Sequence, residues 1–128
     1  RYALEAAYAT GSRAAGPHAN LVLRRVLSLE CRRSVPVGTL VEIRCGVLQV
    51  RRAYVVVGVV GMPTPGGTLP WMDGLLGFVQ VDEAGLPVPL PQEIETVAAS
   101  MLWQPLLDRL AKLAGIRGAT GDWIAAGW

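Results

Sequence analysis

Six arginines stand in adjacent pairs, Arg24-Arg25, Arg32-Arg33 and Arg51-Arg52, and these are the residues of this sequence best suited to holding an anion. A guanidinium presents a planar fork of donors that matches two phosphate oxygens at once, so paired arginines suit a phosphate-bearing ligand. The competing reading makes them the solvent-facing residues of strands. No aromatic residues interleave them, which argues against nucleic acid as a partner. Cys31 and Cys45, the only cysteines, fall at inward-looking positions of alternating segments and read as small hydrophobes rather than disulfide partners. His18 is the single histidine, with no Ser/His/Asp order around it, and reads as a solvated loop residue. Two cysteines and one histidine without metal-ligand spacing predict no metal, and no other cofactor is implied.

Charge is unevenly spread. Up to Arg52 there are nine arginines against Glu5, Glu30 and Glu42, whereas beyond it three basic residues, Arg109, Lys112 and Arg117, face seven acids. The basic half is the one that would meet phosphate. With 128 residues, 52% of them apolar and 17% charged, the chain suits one packed domain and not a disordered one. No apolar run reaches the roughly 18 residues of a membrane span, because arginines, glycines and prolines interrupt each candidate. No basic leader with an apolar segment and cleavage site is seen either, so a cytoplasmic protein without a membrane partner is expected.

The elements that must position these residues follow from periodicity. "RYALEAAYATGSRAAG" is rich in alanine and leucine and ends in glycine, which predicts a helix closing near Gly16, with Pro17 enforcing the exit. Leu27, Leu29 and Cys31 alternate with Ser28, Glu30 and Arg32, as in a half-buried strand. Val41, Ile43, Cys45 and Val47 repeat the pattern after the turn "SVPVGT". "AYVVVGVVG" is too continuously apolar for a surface strand and predicts a central one. "MPTPGGTLPWMDG" reads as a loop, and "LLGFVQVD" as the last strand, leaving the sheet through the turn "DEAG" and a proline-spaced exit. Those prolines would deny the sheet edge further donors. Ile94, Val97, Met101 and Leu102 recur at helical spacing, as do Leu106, Leu110 and Leu113, so a helix broken at Pro105 is expected.

One helix, about four antiparallel strands and a helical tail resemble the hotdog-fold acyl-CoA thioesterases, an α+β fold in which a curved antiparallel sheet wraps a central helix. Residues 32–52, "RRSVPVGTLVEIRCGVLQVRR", look like the family's second and third strands. "GFVQVDEAGLPVPLP" looks like its closing strand and proline-rich exit, and "YALEAAYA" like the acidic stretch of its central helix. The resemblance covers about residues 2–91. It implies a hotdog domain over 1–91 and a helical extension over 92–128, with the family's first strand and its His-Gly-Gly-like turn lacking a counterpart before Arg1.

What the resemblance implies for chemistry is thioester hydrolysis, which needs a carboxylate to activate water and backbone donors at a helix N-terminus to hold the oxyanion. Family members place that acid in the first turns of the central helix, and here the position falls on Glu5. Aligned instead with the family's Trp-Met-Asp pattern, the position falls on Leu4 and the carboxylate is absent. "GGTLPWMDG" imitates the glycine-to-acid motif, which makes Asp73 a minor candidate, although it lies between strands. The family binds CoA at a dimer interface with help from the turn "VRRAYV", so Arg51, Arg52 and Tyr54 are the expected CoA-binding residues. Tyr54 stands where a small hydroxyl residue is usual, and Ser34 and Thr39 replace the turn's usual proline and frequent aspartate. The expected function is hydrolysis or binding of acyl-CoA thioesters by a homo-oligomer, dimer or higher. The alternative is a non-catalytic hotdog module for acyl-ligand binding or dimerisation.

Overall fold

The computed structural model describes residues 2–17, 19–36, 38–63, 69–91 and 93–119, the side chains of 2 and 115–119 apart. Helix α1 spans Tyr2–Ala15, strands β1 (Leu21–Cys31), β2 (Val41–Arg51), β3 (Tyr54–Pro63) and β4 (Met72–Gln80) follow, and helix α2 spans Gln104–Ala119. His18, singled out in the sequence, lies outside the described residues.

Helix α1 carries Glu5 in its first turn and Arg13 in its last, each matched to the sign of the helix dipole there. It ends at Gly16, whose φ of 107° lies in the left-handed region that costs glycine little. The helix presents small residues, Ala3, Ala7, Gly11 and Ala14, and so lies close on the sheet. Ala7 is fully buried, and a side-chain carbon at Gly11 would stand 3.2 Å from Leu21 Cδ1.

The strands form one antiparallel sheet in the order β1-β4-β3-β2. The valine-rich run predicted as a central strand is β3, and it is buried from Tyr54 to Gly61 because both faces are covered. Val55, Val57 and Val59 meet α1 together with Leu76 and Phe78. Val56 and Val60 face the other way, with Tyr54, Leu48 and Leu75, and are covered by Leu106 and Leu110 of α2. Each valine so buried contributes roughly 1.5–3 kcal/mol, so the double-sided covering of β3 is the main apolar store of the fold. The chain thus adopts the α+β hotdog arrangement, a curved antiparallel sheet on a helix, with a second helix on the outer face.

Four expectations need correction. The strand last in sequence, β4, is central in space, between β1 and β3, so the chain does not leave from a sheet edge. Met72, Asp73 and Gly74 belong to β4 rather than to a loop, since Asp73 pairs with Glu30 on one side and Val60 on the other. Cys31 is exposed, not inward: β1 is an edge strand, and α1 covers only its beginning. The apolar spacing of Ile94 and Val97 is not helical. This segment runs extended across β2, where the Val97 N–H donates to the Val47 carbonyl at 2.9 Å beside a β-bulge, and Val97 and Trp103 lie over Gly46. Among the described residues only the second helical piece is present, with Pro105 in its first turn as expected and the Ser100 carbonyl accepting from Gln104 N–H at 2.8 Å.

Candidate functional site

Glu5 is exposed on the first turn of α1, at the rim of a groove of about 270 Å³ lined by Leu4, Glu5, Tyr8, Leu23 and Phe78. The groove exists because α1 crosses β1 and β4 where their inward side chains are large. Phe78 is buried and takes the edge of the Tyr8 ring, with centroids 6.0 Å apart and planes at 62°. Leu4, Tyr8 and Leu23 remain exposed. A carboxylate in the first turn of α1 thus stands over an apolar trough.

Arg51 and Arg52 are brought to the tight turn between β2 and β3. Arg51 pairs with Tyr54 as the last rung of the ladder, and Arg52 and Ala53 reverse the chain. Both arginines are exposed, and Arg52 holds φ at 50°, the one non-glycine residue with positive φ among the described residues. Its carbonyl accepts from Leu90 N–H at 2.8 Å, and the neighbouring Ala53 carbonyl accepts from Gln80 N–H at 2.8 Å. An open groove of about 570 Å³ adjoins this end, walled by Ala15, Gly16, Gln80, Val88 and Leu90. Two exposed arginines thus share a short, anchored turn.

Tyr54 departs from this pattern. Its ring lies on the sheet face away from α1, packed over Gly77, where a side chain would collide with the phenol oxygen. Burial pushes the Tyr54 phenol well up from its ordinary pKa, against the opposing pull of Arg25 and Arg24. Tyr54 lines neither groove and supports the turn from beneath.

Asp73 is also on the outer face, away from Glu5, and it is 5% exposed. One carboxylate oxygen accepts from Arg32 Nε at 2.8 Å and the other from Arg109 Nη1 at 2.8 Å; Arg109 Nη1 also reaches Ser28 Oγ at 3.0 Å. Arg32 pairs in turn with Glu30 at 3.0 Å. Burial alone would raise the Asp73 pKa, but the hydrogen bonds and charges of Arg109 and Arg32 together hold it below the usual carboxylate range. With both oxygens engaged by cations, this carboxylate fastens β1, β4 and α2 together and is not a free base. Sequence reading missed the cluster. The signal was an acid inside the apolar run "WMDGLLGF" and an arginine, Arg109, inside the stripe of Leu106, Leu110 and Leu113.

Cys45 is half-buried beside α1, and burial pushes its thiol pKa up despite a hydrogen bond with Thr10 and the charge of Arg13. Among the described residues no group of three or more His, Cys, Asp or Glu side chains is placed to hold a metal ion, and no helix is long and apolar enough to cross a membrane.

No protein-family model matches the chain, and no curated protein matches it. Solved structures do. An apo hexameric acyl-CoA thioesterase superposes with a TM-score of 0.73 over 95% of this chain and 77% of its own, at 22% identity. A variant acyl-CoA hydrolase from Staphylococcus aureus in complex with coenzyme A gives 0.74 over 93% of this chain and 70% of its own, at 18% identity. A hexameric thioesterase from Yersinia pestis gives 0.58 over 72% of this chain and 80% of its own, at 17% identity. Likeness at such identity establishes the fold.

Proposed function

We propose that this chain of hotdog fold is a thioesterase-like protein that binds acyl-CoA and hydrolyses its thioester, acting as a homodimer or larger homo-oligomer. The observation that carries the reading is the exposed carboxylate of Glu5, in the first turn of α1, at the rim of an apolar groove. The groove of Leu4, Tyr8, Leu23 and Phe78 suits a hydrocarbon chain, and the arginine turn suits the phosphates of CoA.

In this reading Glu5 takes a proton from water as the oxygen attacks the thioester carbonyl carbon. Negative charge then develops on the carbonyl oxygen, which backbone N–H donors would have to hold. Collapse of the tetrahedral intermediate breaks the C–S bond, and the departing thiolate takes up a proton, giving a carboxylic acid and free CoA. Arg51 and Arg52 hold the phosphates, and Tyr54 contributes by supporting their turn. Asp73, neutralised by Arg32 and Arg109, takes no part.

Homo-oligomerisation fits the exposed edge of the sheet. Val22, Leu23, Val26 and Leu29 of β1 are each more than 40% exposed, on an edge strand whose backbone can pair further. A second copy along β1 would cover these side chains and close the groove beside Glu5. Two of the superposed thioesterases are hexamers, which agrees with assembly without fixing its order. Residues 1–91 would form the working unit and 92–128 an extension, whose helix α2 covers the outer face.

The test is hydrolysis of short, medium, long and aromatic acyl-CoAs by the chain and by Glu5→Gln, with CoA binding measured beside it. Turnover that disappears in Glu5→Gln while CoA still binds supports the reading. Binding of CoA without turnover in any protein would identify the non-catalytic acyl-binding module instead.

A further inference from the structure

The chain beyond β4 makes a tight return that ends on the arginine turn. Asp82 Oδ1 accepts from the N–H groups of Ala84 and Leu86, each at 2.9 Å, and Gly85 completes the reversal at φ 81°. Residues 86–90 then run antiparallel to the end of β4, with a bridge between Val81 and Pro87. Prolines at 87, 89 and 91 have no N–H, so from 87 to 91 only Val88 and Leu90 can donate. Both donate inward: Val88 N–H to the Gln80 carbonyl at 2.8 Å, Leu90 N–H to the Arg52 carbonyl at 2.8 Å. The alternation therefore leaves the segment with all its donors turned inward and none for an outside chain.

Gln80 joins the parts. Its side-chain amide donates to the carbonyls of Val88 at 3.2 Å and Pro89 at 3.0 Å, while its backbone N–H holds the Ala53 carbonyl. One residue thus fastens the proline segment on one side and the arginine turn on the other. That turn keeps an arginine at φ 50°, where glycine or asparagine would sit with less strain, which means that its conformation is imposed from outside.

We infer that Gln80 is a positioning residue for an anion site on the Arg51-Arg52 turn, acting through the proline segment that holds the Arg52 carbonyl. The inference rests on the proposed CoA-binding reading for its natural ligand, which carries a pyrophosphate, but its physical content is the anion site itself. Its side-chain amide is engaged by the Val88 and Pro89 carbonyls. Gln80 fixes the backbone that carries both arginines, and two guanidinium groups on a fixed backbone lose less freedom on taking two phosphate oxygens than two on a loose one.

The experiment measures binding of CoA, pantetheine and inorganic pyrophosphate to the full chain and to Gln80→Leu, Arg52→Ala and the double variant. Gln80→Leu is expected to weaken CoA and pyrophosphate about tenfold, the order of one charge-assisted contact, with pantetheine unchanged. The double variant is expected to bind no worse than Arg52→Ala alone, because both changes disable one arrangement. Should Gln80→Leu fold poorly, Pro87→Ala with Pro89→Ala loosens the same segment at two exposed positions, with the same expected pattern. Unchanged CoA and pyrophosphate affinity in these variants, an equal loss for pantetheine, or fully additive losses in the double variant would each overturn the inference. Pyrophosphate binding that depends on Gln80 and Arg52 without any CoA binding would refute the CoA reading and leave the positioning role standing.

Discussion

Arg109 on α2 and Asp73 on β4, 36 residues apart in sequence, meet with Nη1 and Oδ1 2.8 Å apart at a buried junction of helix and sheet. The contact joins the C-terminal helix to the central sheet by charge, where Leu106 and Leu110 on either side join it by apolar burial. Breaking such a pair from one side leaves the other charge buried and incompletely compensated. Arg109→Ala is therefore expected to destabilise the fold by about 3–5 kcal/mol, read as a lower urea midpoint. Loss of less than about 1 kcal/mol, the level of an exposed ion pair, would show that the junction is solvated.

Acid should weaken the same junction. Because Arg109 and Arg32 hold the folded-state pKa of Asp73 below its unfolded value, the carboxylate's stabilisation is fully present above about pH 4, the unfolded range. It is lost as the pH falls through the depressed folded value. Urea midpoints of the wild type and Asp73→Asn, compared from pH 7 downward, should lie apart at neutral pH and converge below about pH 4. A gap that stays constant to low pH would mean that the charge of Asp73 contributes nothing.

Arg52 separates stability from binding. An L-residue other than glycine at positive φ costs roughly 1–2 kcal/mol, so Arg52→Gly should raise thermal stability while weakening CoA and pyrophosphate. A calorimetric Tm that falls instead would show that the arginine makes compensating contacts at the turn.

The sequence carried the valine run of β3, the start of α2 at Pro105 and the end of α1 at Gly16, because each rests on local chemistry: continuous burial, a missing N–H, a left-handed cap. The arginine turn was legible for the same reason, as a short reversal between two alternating segments. What it did not carry depends on pairing between distant residues. Asp73 reads as a loop acid until Arg32 and Arg109 are brought to it, and Ile94 and Val97 read as helical because an extended segment touching two separate cores can imitate a helical spacing. Cys31 alternates correctly but lies on an edge strand that α1 leaves uncovered, and periodicity alone does not say which strand is the edge. Glu5 was found by resemblance, and the geometry adds the apolar groove beneath it.

The most direct measurement is steady-state hydrolysis of a panel of acyl-CoAs by the wild type and Glu5→Gln, with CoA affinity determined on the same proteins. Loss of general-base assistance predicts a fall in kcat of about 10²–10⁴, with CoA affinity retained. Turnover in Glu5→Gln equal to that of the wild type would contradict the account.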